Sequence, residues 1–357
     1  MNRLRLALLA WLLLWLLALP ASAQTLLVVR KSDAAVDFVD PGSGLRLATV
    51  AVGEGPHEIA VSPDGQRALV SNYGTRERPG ASLSLLDLAQ PRELRRIELP
   101  TGARPHGLAW YAPGRIAVTA EGARSLYVLD AASGAILQRV DTNAEGSHMV
   151  AVDGARGRAY VTNLGAGTTG VFDLERGTQL ASLPTGAGSE GLVLVRDGRE
   201  LWVGARGENR VRIVDTQKLT IIGEVAVPGL PIRLMPSADG RSVLASSAVS
   251  GELQVLDVES RRLRASTKLV APLAPRAAQR QFAGLAPGST LPVGIAVATG
   301  DRAWYVAASM ADAVLAIDPA TLKVIRTISV AGEPDGLGLS DAQPSAVCHA
   351  CEAHPTD

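Results

Sequence analysis

The chain has 357 residues, with 35 Lys+Arg against 35 Asp+Glu, 47% hydrophobic residues, 4% aromatic ones and two cysteines. A formally neutral chain excludes nucleic acid as a main partner, because phosphate binding needs a net basic surface, and scarce aromatics argue against base- and sugar-stacking platforms. With 20% charged residues, 36 Gly and 21 Pro, the chain reads as folded, turn-rich and long enough to bury a sizeable core.

The first element is an export signal. Arg3 and Arg5 precede an apolar stretch, Leu6 to Leu19, that ends at Pro20 and Ala21-Ser22-Ala23. A basic start, a short apolar run and a small-residue cleavage site define a secretory leader, and the run is too short for a membrane span of about 20 residues. Cleavage is expected before Gln24. Removing the leader leaves 33 basic against 35 acidic residues, and no later stretch is apolar enough to cross a bilayer. The expected product is a soluble, monomeric, periplasmic or secreted protein in a disulfide-permissive compartment.

The remainder repeats with a period near 42 residues. One mark is a short strand after Pro or Ser: Pro56-His57-Glu58-Ile59, Pro105-His106-Gly107-Leu108, Ser147-His148-Met149-Val150, Ser189-Glu190-Gly191-Leu192, Pro231-Ile232-Arg233-Leu234, Pro292-Val293-Gly294-Ile295 and Pro334-Asp335-Gly336-Leu337. A second is a hairpin turn such as Pro63-Asp64-Gly65 or Ala238-Asp239-Gly240, where Gly accepts positive φ. The third is an Asp closing an apolar run: Asp40, Asp87, Asp130, Asp173, Asp215, Asp257 and Asp318, each expected to cap backbone amides of the next turn. Four short strands, A to D, in roughly 40–45 residues are the signature of one propeller blade. Six units are complete. The N-terminal piece supplies strands B, C and D, and the C-terminal piece supplies strand A, so the two join into a seventh blade. The prediction is an all-β, seven-bladed β-propeller with four-stranded blades over residues 24–340, after a signal at 1–23 and before a tail at 341–357.

Tyr160-Val161-Thr162-Asn163 is the tetrad for which the YVTN β-propeller repeat family is named, and Pro56 to Gly65 followed by Leu69-Val70-Ser71-Asn72 also resembles its repeat. The chain resembles exported bacterial members of that family over nearly all of residues 25–340. The resemblance implies the fold more than an activity, since related propellers include lactonases and a metal-dependent lyase.

In a propeller the A strands line the channel, so the residue after each Pro/Ser mark forms a ring at one mouth: His57, His106, His148, Glu190, Ile232, Val293 and Asp335. All three propeller histidines fall in this ring. Three imidazoles with Glu190 suit a divalent transition metal such as Zn, Cu or Fe. A metal-free His acting as general base on an ester or lactone is a second reading, and loop-bonded filler is a third. The ends of the B strands bring Asn72, Glu121, Asn163 and Arg206 to the same face. The 61-residue spacing before Asp318 implies a long connection, Ala271 to Leu291, carrying Arg276 and Arg280. With Arg76 and Arg78 on the Tyr73–Ser82 loop, these favour a small anionic molecule.

The tail gathers Cys348, His349, Cys351 and His354. Cys-x-x-Cys followed by Glu352 is not a haem attachment. A local disulfide and a Cys/His metal tether both remain open. The sequence therefore predicts an exported propeller that binds a small ligand, a metal or an exported partner protein at its channel mouth. A hydrolase or lyase using the His/Glu ring and a pure interaction scaffold are the alternatives.

Overall fold

Short runs rich in Val, Ile and Leu, broken every few residues by tight turns, fold here into seven four-stranded antiparallel sheets. The structure is a computed structural model and describes residues 24–345 apart from 281 and 283. The leader, and the tail residues Cys348, His349, Cys351 and His354, lie outside the described residues. Among the described residues no helix is long and apolar enough to cross a membrane.

Six sheets use consecutive strands. The seventh joins the two ends of the chain: strand A is Pro334–Ser340, and Thr25–Arg30, Ala35–Val39 and Arg46–Ala51 follow outward as B, C and D. Thr25 pairs with Ser340 and Leu27 with Gly338 across the closure. This is the expected seven-bladed ring, with the closing blade as blade 1 and the A strands Pro56–Val61, Pro105–Ala112, Ser147–Asp153, Ser189–Val195, Pro231–Pro236 and Pro292–Val297 opening blades 2 to 7.

The core lies between blades. Each sheet alternates its apolar residues toward its two neighbours: Val161 packs with Ala117 and Val128 of blade 3, whereas Tyr160 packs with Leu192 and Leu201 of blade 5. The repeated Asp residues cap as expected. Asp130, Asp257 and Asp318 each accept a backbone N–H three residues on, at 2.8, 2.7 and 2.7 Å, and the side-chain hydroxyl of the same residue; the hydroxyl bonds first at Asp257 and Asp318, and the amide bond first at Asp130, hold the carboxyls below the ordinary range.

The third residue of the tetrad does work the sequence reading missed. Thr162 accepts the Met149 N–H (3.1 Å) and donates to the Glu190 carbonyl of the next blade (2.7 Å). Thr119 does the same between the Gly107 N–H and the His148 carbonyl, and Ser246 donates to the Val293 carbonyl (2.8 Å). Each staple fixes the backbone of a ring residue from the preceding blade. Thr119→Val keeps the volume but leaves the buried Gly107 amide and His148 carbonyl short of a partner. A loss of about 1–3 kcal/mol is expected in denaturant unfolding, and a value near zero would show that the staple is idle.

Candidate ligand site at the channel mouth

The backbone aims the ring residues in the same way in every blade. The residue ahead of each A strand is left-handed: Gly55, Arg104, Gly146, Gly188, Leu230, Leu291 and Glu333, with φ between 50° and 71°. Four of these are not glycine, which costs of order 1–2 kcal/mol apiece and is sustained by the strand that follows. A register shift comes next, as between Ser147 and Val150, so the ring residue projects from a bulge. The residue after it is Gly where blades touch. A β-carbon on Gly107 would lie 2.7 Å from the Met149 Cα, and one on Gly336 would lie 2.5 Å from the His57 carbonyl oxygen.

Blades 1 to 5 bring together Asp335, His57, His106, His148 and Glu190. The His106 and His148 rings stack with centroids 3.8 Å apart, His57 lies 5.2 Å from His106, and Tyr73 sits 4.7 Å from His57. The Arg104 guanidinium lies over the Tyr73 ring, 4.3 Å from its centroid. The Tyr73 hydroxyl and His148 Nδ1 both bond Glu121, and His148 Nε2 lies 3.4 Å from Glu190. Glu190 also receives Arg206 (2.6 Å) and Arg233 (3.1 Å), and Arg233 extends its other nitrogen to Glu58. Asp335 lies 3.4 Å from His57 Nδ1 and 3.9 Å from Lys31 Nζ.

The environments drive the imidazoles apart. Burial depresses His57 to about 4, with Lys31 and Arg233 adding to the effect and Asp335 opposing it. Burial and the adjacent His148 push His106 well below its ordinary value. Burial alone would also lower His148, but Glu121 and Glu190 together outweigh it and raise this ring to about 9. Burial likewise works to raise Glu121 and Glu190, and the bonds and charge of His148 hold both below the ordinary range. At neutral pH the site thus holds one imidazolium between two carboxylates, beside two neutral imidazoles. The Nδ1 atoms of His57 and His106 are buried without a hydrogen-bond partner.

This arrangement corrects several expectations. Three imidazoles with Glu190 do not fit Zn, Cu or Fe: the nitrogens of His148 face carboxylates, and the oxygens of Glu190 are taken by guanidinium groups. Among the described residues no group of three or more His, Cys, Asp or Glu is arranged to hold a metal ion. Asn72 and Asn163 are buried blade struts. Asn72 accepts from the Gly53 amide and donates to Ser82 and Ser84, and Asn163 bonds Ser147 and Thr168. Arg280 is only 11% exposed and engages Asp312 (2.7 Å) and Glu333 (3.1 Å), so it is a strut of the long connection. Arg78 pairs with Glu54, while Arg76 and Arg276 are exposed. The long connection itself packs Phe282, Leu285 and Leu291 against Ile232 and Val293, the two apolar ring positions. Lys31, Glu58, Tyr73, Arg104 and Arg233 belong to the site or its base as well.

No curated protein matches the chain in sequence. The chain matches the YNCE-like beta-propeller family over residues 98–272. Among solved structures it is similar to a functionally unknown protein from Desulfotomaculum acetoxidans DSM 771, at 14% identity and TM-score 0.73, covering 90% of this chain and 99% of that one. It is also similar to the dihydro-heme d1 dehydrogenase NirN (16% identity, TM-score 0.61, 89% and 75% covered). A third structure is the hydrazine synthase of Kuenenia stuttgartiensis (17% identity, TM-score 0.67, 84% and 93% covered). At such identities these neighbours share the fold alone. With seven four-stranded blades, the Tyr160–Asn163 tetrad and the match over its middle blades, the chain is a seven-bladed β-propeller similar to the YNCE-like beta-propeller family.

Proposed function

We propose that the chain is an exported propeller that binds a small anionic molecule at the histidine-lined channel mouth. The observation that carries this is the layering of charge. Lys31 is 31% exposed above Asp335 at 8%, and Arg206 is 31% exposed above Glu190 at 5%. Cations therefore line the entrance while carboxylates lie beneath them, and the Arg104 guanidinium over Tyr73 adds a third cation. An anion at the entrance meets charge that is already oriented, and the neutral His57 and His106 below it offer hydrogen bonds without repulsion. Export rests on the leader pattern that ends at Ala23.

The test is thermal unfolding of the exported protein with phosphate, oxalate, citrate and lactate, each against chloride at equal ionic strength. At least one anion is expected to raise the midpoint of the wild type, and to do so much less in Arg206→Gln. At 100 times its Kd an anion stabilises by about 2.7 kcal/mol, well above detection. No anion-specific shift in the wild type would overturn the reading. One observation favours a second reading: neutral His106 stacked on cationic His148 is a base beside an acid. Ester or lactone hydrolysis that disappears in His106→Ala would move the site from binding to catalysis.

A further inference from the structure

Cations at the channel mouth account for an anionic group, but not for the two neutral rings beneath them. His106 is 4% exposed, and its Nδ1 is buried without a hydrogen-bond partner, as is that of His57. The His106 ring is walled by other rings, those of His57, Tyr73 and His148, with centroids 5.2, 5.4 and 3.8 Å away. Buried polar groups are nearly always paired, so imidazoles in this state lack a partner that comes from outside the chain.

The chemistry of that partner follows from the rings and their surroundings. Burial keeps both imidazoles uncharged at neutral pH, and each then has one N–H donor and one bare nitrogen acceptor. A hydroxyl both donates and accepts, so it fits either tautomer. At His57 the Asp335 oxygen 3.4 Å from Nδ1 favours the proton on that nitrogen, which leaves Nε2 to accept. A second anionic group is disfavoured at this depth. Glu58, Glu121, Glu190 and Asp335 already place four carboxylates there, against Arg233 and the His148 imidazolium. An ammonium would first have to pass Lys31, Arg206 and Arg104.

Each neutral ring also has a cation close by. Asp335 stands between His57 and Lys31, at 3.4 and 3.9 Å, and Tyr73 stands between both rings and Arg104. A charge and a hydroxyl on one short carbon chain can therefore be met together. We propose that the ligand of the channel mouth is a small hydroxycarboxylate, whose carboxylate pairs with the entrance cations and whose hydroxyl bonds the His57 and His106 rings. This rests on anion binding at the mouth and specifies the group beside the charge.

Titration calorimetry of the exported protein at pH 7 and equal ionic strength tests it with acids that differ only in the hydroxyl, lactate against propionate and malate against succinate. The hydroxy acid is expected to bind at least about tenfold tighter in each pair, because a site built for a hydroxyl is left with unpaired polar groups when it is missing. His106→Phe keeps the ring shape and removes both nitrogens, and should shrink that preference to about threefold or less. Arg206→Gln should weaken both members of a pair alike. Equal binding within each pair of the wild type overturns the proposal and leaves anion binding standing, with no variant needed. A preference that survives both His57→Phe and His106→Phe overturns it as well, since the hydroxyl would then be read elsewhere. So does alanine binding as tightly as lactate. If phosphate or oxalate binds and none of the four acids does, the proposal alone falls, whereas binding of no anion at all removes the anion site with it.

Discussion

Arg233→Met is expected to lower the stability of the propeller by about 3–5 kcal/mol, the cost of leaving buried charges without their partner. Arg233 is 8% exposed and rises from the inner strand of blade 6. Its planar fork reaches Glu190 of blade 5 and Glu58 of blade 2, so one side chain ties three blades across the channel. Burial raises the Glu58 carboxyl and Arg233 is the main force pulling it back, while the ring of carboxylates in turn raises the guanidinium. Methionine matches the stem and removes the charge. For a chain of this size the midpoint should fall by roughly 2–4 °C per kcal/mol. The sign with pH is defined. Without Arg233, the Glu58 pKa climbs further above its unfolded value, so the penalty is largest at neutral pH and shrinks as acid protonates that carboxyl. Adding Glu58→Gln should recover part of the loss at pH 7. Chemical denaturation of the single and double variants at pH 5 and pH 7 decides the matter. A single variant within about 1 kcal/mol of the wild type at pH 7 would mean that water, not Arg233, solvates Glu58 and Glu190.

The fold was legible because a propeller repeats its grammar. Pro or Ser before each inner strand, Asp-Gly hairpins and Asp after each third strand recur in register, and any one faint unit is read from the others. The site was only half legible. The ring of His57, His106, His148, Glu190 and Asp335 follows from repeat position alone. Arg233 and Glu58 sit one residue deeper, and their partners are 43 and 175 residues away, so no local spacing marks them. A signal existed all the same: the position after the ring residue is glycine in four blades and ionisable only at Glu58 and Arg233. Asn72 and Asn163 were misread for a related reason. A polar residue at a strand end suggests a mouth, but hairpin register places Ser82 directly opposite Asn72, so the amide closes on its own blade. Arg280 looked free in sequence because Asp312 and Glu333 come from other segments. Long-range ion pairing is set by how blades stack, and one blade's pattern carries no record of it.

Stability is expected to peak near pH 6.5 and to fall on both sides, for reasons that lie in the same three rings. Between about pH 4 and 6.5 the unfolded chain protonates all three imidazoles, whose ordinary value is 6.5, while the folded chain protonates only His148. The unfolded state then binds more protons, so stability falls as pH drops through this window. Glu58, held above its ordinary value by burial, opposes that fall near its acid end. Between 6.5 and about 9 the order reverses. The unfolded histidines are neutral, folded His148 keeps its proton between Glu121 and Glu190, and stability declines as pH rises through the folded value. The alkaline limb amounts to ~3 kcal/mol, at 1.36 kcal/mol per pKa unit. The lowered values of Glu121 and Glu190 describe the same contacts from the other side and are not added to it. His148→Gln should flatten the alkaline limb and, by removing the charge that presses on His57 and His106, soften the acid limb only in part, whereas His106→Gln should soften the acid limb and spare the alkaline one. Urea midpoints from pH 5 to 9 for the three proteins separate these outcomes. A wild-type curve that is flat from 6.5 to 9 would mean that His148 is not the clamped cation on which the charge layering of the mouth depends.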